Sequence, residues 1–472
     1  MELPIAFEAR MKRLLGTDYD AFYVSLTEEG AVKGLRVNAA KLDEESFRLA
    51  SPFPLTEIPY VKGGFIVSEE DTAGKHPYHH AGAYYMQDPG AMATAAALPA
   101  ELLARERLRV LDLCSAPGGK TTQIAARIAK GGGILLSNEY NAARSRILAG
   151  NVERMGLSNV LVTNLDTGVL AELYPMEFDL VVCDAPCSGE GMFRKNDRAI
   201  LEWSESNVAM CASRQREILG NGAACVSAGG YLLYSTCTYA VEENEAVVSD
   251  FLKEHPDFSL VPVRDAVIAV TADGVTEGFS PDMAMTRRFY PHVSRGEGQF
   301  VALLYRDPAA PSPRRRGKSS AIGGGFALPS VGDLAIAEQF LMETLGHTLP
   351  AIGFRGGMLL SIPAWAETPL SSVPIGTVAL GAAIGELRKG RLVPHHHFFM
   401  AFGAEMMSRA VFDPTDPQVA LYLAGEEISV PESCKGYTAV MLRVGNAEIT
   451  LGGGKASGGR LKNYYPKGLR VR

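Results

Sequence analysis

Short apolar runs recur along the first two thirds of the chain, at 108–113 (LRVLDL), 134–138 (ILLSN), 160–164 (VLVTN), 178–183 (FDLVVC), 231–235 (YLLYS) and 300–305 (FVALLY). Between them, residues 119–130 place Ile124 and Ile128 on one helical face, and 141–155, 206–227 and 242–254 continue the helical spacing. Apolar runs without alternation belong to strands buried on both faces. Alternating with helices, they predict an α/β fold with a doubly wound, mostly parallel sheet and right-handed crossovers. Residues 1–100 are less regular, with helices expected near the start and around 91–104. Residues 327–472 are richer in glycine and in short strand-like runs such as 358–362 and 437–443, which suits small α+β modules. No internal repeat is evident.

Composition narrows the class. At 472 residues, 47% apolar and 21% charged, the chain is globular and long enough for roughly three domains. Seven cysteines are an odd and sparse set, which points to a reducing compartment rather than a disulfide framework. The acidic residues of the N-terminus and the lack of a long apolar stretch argue against secretion or a membrane span, so a cytoplasmic location is expected. The net charge of −7 excludes a uniformly basic protein but leaves room for a local basic surface. Prolines, glycines and Arg314, Arg315 and Arg316 mark 307–326 as a linker. The expected division is an N-terminal extension over 1–100, a catalytic α/β domain over 101–306 and a C-terminal region over 327–472.

In open α/β sheets, ligands lie at the carboxyl ends of the strands. Asp112, Glu139 and Asp184 close three of these runs and Asp166 follows another. The loop after Asp112 reads Cys114, Ser115, Ala116, Pro117, Gly118, Gly119, Lys120. Gly-Lys-Thr at 119–121 resembles a phosphate-binding loop, but Cys114 stands where that motif requires glycine, and no dinucleotide fingerprint is present. Glu139 is placed for a ribose diol and Asp166 for an adenine amino group. Adenine and ribose without phosphates describe S-adenosylmethionine. Any one of these acids alone could equally be a helix cap.

Cys187, in Asp184-Ala-Pro-Cys-Ser, and Cys237, in Ser235-Thr-Cys-Thr, fall on strand-end loops facing the same cleft. Cys183 and Cys225 read as core and Cys434 as structural. No metal is expected, since the Cys183/Cys187 spacing lacks a histidine partner. A methyl donor, a thiol and an acid suit methylation of carbon 5 of a pyrimidine, in which thiolate addition at carbon 6 makes carbon 5 nucleophilic. On these grounds either Cys187 or Cys237 could be the nucleophile.

Leu113-Cys-Ser-Ala-Pro-Gly-Gly-Lys-Thr121, Asp184-Ala-Pro-Cys-Ser-Gly-Glu-Gly-Met192 and Ser235-Thr-Cys-Thr238 followed by Glu242-Glu-Asn-Glu245 together resemble the RNA 5-methylcytosine methyltransferases of the NOL/NOP/SUN type. Leu35-Arg-Val-Asn38 and Tyr84-Tyr-Met-Gln-Asp88 resemble that family's N-terminal extension, and Pro291-His292 its closing strand pair. The resemblance covers roughly 30–305. It implies a Rossmann-like methyltransferase sheet, Cys237 as nucleophile, Cys187 in product release, and a cofactor site from residues 114–120, Glu139, Asp166 and Asp184. The C-terminal part resembles the PUA-like extension of the bacterial 16S ribosomal-RNA branch, which makes ribosomal RNA the expected substrate, with transfer RNA or a non-catalytic assembly role as alternatives. Residues 455–472 carry six Lys/Arg and no acid. Candidate RNA contacts are Lys462, Tyr464, Tyr465, Lys467 and Arg470, with Arg36 and Asn38 upstream and Arg388, Lys389 and Arg391 as a further basic group. His395, His396 and His397 read as entering a strand. A monomer is favoured.

Overall fold

The computed structural model describes residues 2–68, 70–311, 325–363, 373–374 and 376–471. Most of the expected linker, including Arg314, Arg315 and Arg316, lies outside the described residues.

The N-terminal part opens with the helices Ile5–Leu15 and Tyr19–Thr27 and builds a four-stranded antiparallel sheet ordered β2-β3-β1-β4, from β1 (Lys33–Val37), β2 (Thr56–Glu57), β3 (Gly64–Val67) and β4 (Tyr84–Met86). Next come β5 (Arg109–Asp112), β6 (Ile134–Asn138), β7 (Val160–Thr163), β8 (Phe178–Asp184) and β9 (Val226–Thr236), all mutually parallel. β10 (Phe258–Leu260), β11 (Ala272–Asp273), β12 (Arg287–Phe289) and β13 (Gln299–Arg306) complete one side, with β13 antiparallel to β9.

The order across this sheet is β11-β12-β13-β9-β8-β5-β6-β7. The chain leaves β5 in one direction through β6 and β7, then returns to the other flank of β5 as β8. That reversal separates the loops that follow β5 and β8, where a cleft opens beyond the strand ends. The central strands bury both faces, and two apolar clusters hold the sheet, one around Ile124, Leu148 and Val182, the other around Leu136, Leu219 and Leu232.

The expected strands and helices occur within a few residues of their places. β9 is longer than its apolar run: the helix Glu205–Cys225 passes directly into it, and Gly229, with φ +72°, allows the register with β8 to shift. Residues 291–294 form a helical turn begun by Pro291 rather than a strand.

The C-terminal part contains β14 (Ile352–Arg355), β15 (Met358–Ser361), β16 (Thr377–Leu380), β17 (Ala382–Arg388) and β18 (Arg391–Pro394), then β19 (Arg409–Phe412), β20 (Ile428–Ser429), β21 (Gly436–Val444), β22 (Ala447–Ser457) and β23 (Arg460–Asn463). They form one sheet ordered β14-β15-β17-β18 and another ordered β19-β21-β22-β23-β20. β16 belongs to neither. It pairs antiparallel with β7 and becomes the outer strand of the central sheet. The three histidines begin a helix, His396–Phe402, capped by His395 Nδ1 on the His397 N–H at 3.2 Å, so the strand expected there is corrected. Burial lowers the His396 and His397 rings to about 3.

Candidate active site

Each strand end contributes through its own local chemistry. Asp112 closes β5 fully buried, and its Oδ2 accepts from Thr121 Oγ1 at 2.7 Å, while among the described residues its Oδ1 has no partner. Burial pushes this carboxyl up to about 6. The following loop is held by Ser115 N–H on Asn138 O at 2.9 Å and by Arg144 on Ala116 O at 2.7 Å. Gly118 turns it with φ +112° into the helix Gly119–Ile128. A Cβ on Gly119 would lie 2.9 Å from the Gln87 side-chain amide, so glycine lets the helix start approach the N-terminal sheet. Burial raises the Cys114 thiol, which suits a wall rather than a nucleophile.

Asp184 ends β8. Its Oδ2 accepts from Lys120 Nζ at 2.7 Å and its Oδ1 from Ser235 Oγ at 2.7 Å, so one carboxylate joins the loop after β5 to the end of β9. A cavity of about 240 Å³ opens here. Asp112, Cys114, Ser115, Ala116, Pro117, Gly119, Lys120 and Asp184 face it from the central sheet, and Tyr85, Met86, Gln87, Asp88 and Ala91 close it from the N-terminal part. This second wall was absent from the expected cofactor set, although Tyr84–Asp88 stood out as a motif; nothing local in the sequence shows that it crosses to the switch point.

Glu139 and Asp166 are not among the cavity's walls. Glu139 is buried, accepts from Asn141 N–H at 2.8 Å and lies 3.4 Å from Arg144. Asp166 caps the helix Thr167–Leu173 through Gly168 N–H at 2.8 Å and is otherwise exposed.

Sγ of Cys187 lies 3.2 Å from Sγ of Cys237, with both thiols free. The hydrogen bond to Cys237, together with burial, raises the Cys187 thiol well above its ordinary range. The two loops are pinned by Gly191 N–H on Cys237 O at 2.9 Å and by Ala185 N–H on Ser235 O at 2.9 Å. Cys183, Cys211, Cys225 and Cys434 are buried.

The upstream RNA candidates are corrected. Arg36 is 3% exposed and donates inward to Gly119 O and Thr122 Oγ1, bracing the cofactor-loop helix. Asn38 is fully buried and donates to Gly82 O and Met155 O. Tyr465 is corrected as well. It is 3% exposed and packs against His396 and Tyr422, with its hydroxyl 3.3 Å from His80. The Arg470 guanidinium lies against Gly425, and its Nε is buried without a partner among the described residues. Lys462 and Lys467 are exposed and Tyr464 is half-buried. Tyr437, Lys455 and Lys462 are cross-strand neighbours on β21, β22 and β23, and the Lys455 ammonium sits 5.4 Å from the Tyr437 ring centre.

Three family models match in succession: the N-terminal domain of 16S rRNA methyltransferase RsmF over residues 3–89, 16S rRNA methyltransferase RsmB/F over 100–305, and the methyltransferase RsmF PUA domain over 409–471. The ribosomal RNA small subunit methyltransferase F of Klebsiella pneumoniae is 32% identical over 99% of this chain and 96% of its own length. The chain belongs to the ribosomal RNA small subunit methyltransferase F family. Methyltransferase F relatives from Erwinia tasmaniensis and Escherichia coli are 31% identical over the same shares. Among solved structures, a methyltransferase homolog from Pyrococcus horikoshii has a TM-score of 0.55 at 26% identity and covers 64% of this chain and 94% of its own. NSun6 from the same organism, at 19% identity and a TM-score of 0.53 over 65% of this chain and 99% of its own, shares the Rossmann-like methyltransferase fold. Among the described residues, no helix is long and apolar enough to cross a membrane.

Proposed function

We propose that the chain methylates carbon 5 of a cytosine in 16S ribosomal RNA, using S-adenosylmethionine and a transient bond from Cys237 to carbon 6. The observation that carries this reading is the 3.2 Å approach of Cys187 and Cys237 beside the Lys120–Asp184 pair.

The cavity suits the cofactor. It has a buried carboxylate oxygen, Asp112 Oδ1, free to accept from an amine, and a wall of main chain and small side chains along the loop after β5. Asp112, the 114–120 loop and Asp184 would hold S-adenosylmethionine, with Glu139 and Asp166 at the neighbouring strand ends. Bound there, it supplies an electrophilic methyl carbon.

The protein's groups do the rest. Cys237 loses its proton to water and adds as the thiolate to carbon 6, which places electron density on carbon 5. Asp184 steadies a proton near N3 and the exocyclic amine as charge builds, and Lys120 orients that carboxylate. After transfer, the carbon 5 proton passes to water, the carbon 5–carbon 6 double bond re-forms, and the pair of the carbon–sulfur bond returns to Cys237. Cys187, which keeps its proton, donates it toward the departing sulfur and stabilises the thiolate. The same reading divides the chain at 1–100, 101–306 and 327–472, and assigns RNA contact in the C-terminal part to Lys462, Tyr464 and Lys467.

Bisulfite sequencing of 16S and transfer RNA from a deletion strain tests the reading. The expected result is loss of protection at a cytosine of 16S RNA. Loss confined to transfer RNA, or no loss, overturns the substrate assignment.

A further inference from the structure

Glu243 lies in the Glu242-Glu-Asn-Glu245 stretch, and the mechanism above gives it no part. It is fully buried, and among the described residues no Lys or Arg forms an ion pair with it. Three donors surround it instead. Ser188 N–H reaches Oε2 at 3.0 Å, Gln215 Nε2 reaches Oε2 at 2.7 Å, and the Ser188 hydroxyl donates to Oε1. Gln215 also donates to Pro186 O at 2.9 Å, and Ser188 Oγ meets Thr238 Oγ1 at 2.9 Å. Residues 186, 188 and 238 flank the two thiols. Through the Ser188 hydroxyl, one carboxylate thus ties the segment carrying Cys187 to the segment carrying Cys237. A buried, unpaired carboxylate is costly for the fold, and a hydroxyl-bearing or amide side chain could bridge the loops without that cost. The charge therefore calls for a reason beyond packing.

We propose that Glu243 is a positioning residue: by clamping Ser188 against Thr238 it holds Cys187 on the sulfur of Cys237, so that the second thiol can assist release of the adduct. This rests on the reading of Cys237 as the nucleophile. A carboxylate so placed also discourages ionisation of Cys187, and its charge is one of the influences that raise that thiol. Glu243 itself is raised by burial, opposed by its Ser188 and Gln215 donors. Its effect should therefore fall on the second half of the reaction, where the carbon–sulfur bond breaks, and not on bond formation by Cys237.

The test uses the full-length protein with two RNAs, one unsubstituted and one carrying 5-fluorocytidine, whose fluorine blocks release. Glu243→Gln keeps the shape and removes the charge. Thr238→Val removes the hydroxyl bridge and serves as the second variant should Glu243→Gln fold poorly. Both are expected to form the fluorocytidine adduct at close to the wild-type rate. On unsubstituted RNA they should accumulate a denaturant-resistant adduct, with release slowed about tenfold. Alkylation of Cys187 by iodoacetamide should move to lower pH in Glu243→Gln, which a purely structural role would not produce. Equal slowing of formation and release, or unchanged release in both variants, overturns the proposal. A wild-type protein that forms no fluorocytidine adduct overturns the proposed function instead.

Discussion

Lys120 Nζ lies 2.7 Å from Asp184 Oδ2, and that contact joins the start of the helix after β5 to the end of β8 across the switch point of the sheet. The pair does two things at once: it shapes the cavity wall and it fixes the carboxylate that the proposed mechanism uses. Asp184→Asn keeps the size and the Ser235 contact but leaves Lys120 facing a neutral amide. Turnover is expected to fall by about 10²–10⁴-fold. Single-turnover methylation of a 16S transcript measures it; a variant within a few-fold of wild type removes Asp184 from the chemistry.

The two cysteines should separate cleanly. Cys237→Ala abolishes methyl transfer and adduct formation while calorimetric binding of S-adenosylmethionine stays near normal, because Cys237 is not among the cavity walls. Cys187→Ala still forms the bond and fails to release it, which leaves a protein–RNA band on a denaturing gel. If the band appears with Cys237→Ala and not with Cys187→Ala, the roles are reversed.

The buried histidines give a pH dependence of known sign. His396 and His397 are held near 3 by burial, against about 6.5 in an unfolded chain. Each ring is neutral when folded and gains a proton when unfolded below about 6.5. Their contribution to stability is complete above that value and is lost as pH falls from about 6.5 toward 3. At pH 5 the loss is roughly 2 kcal/mol per ring, at about 1.4 kcal/mol per pH unit. His397→Gln, which keeps a donor for Leu157 O, is expected to flatten the acid side of the curve; urea unfolding between pH 5 and 8 would show it.

The row of Tyr437, Lys455 and Lys462 across three strands is the basic surface to test for RNA. Lys455→Glu with Lys462→Glu should weaken binding to a 16S transcript and make the dependence on salt shallower by about two counterions. Binding of S-adenosylmethionine should not change. Filter binding over a salt series decides it, and an unchanged slope moves the RNA surface elsewhere.

The central sheet was legible because its strands are buried on both faces, so their apolar runs carry no competing pattern. The cysteine pair was legible as two motifs but not as a 3.2 Å contact, since that depends on β8 and β9 being neighbours in the sheet. Arg36 and Asn38 misled for the opposite reason: a polar residue in a strand reads as surface until its partners are known, and both meet backbone carbonyls from distant segments. Tyr465 lies within the basic tail in sequence while its ring faces the core. The histidine triplet gave no helical period of its own, and the cap by His395 decided its form.

The pairing of β16 with β7 bears on how the chain is made. The ribosome releases β7 more than two hundred residues before its partner strand, so the catalytic sheet spends much of its synthesis with one open margin. Truncation after residue 306, which looks like a neat excision in the sequence, would leave that margin bare for good and invite edge-to-edge association.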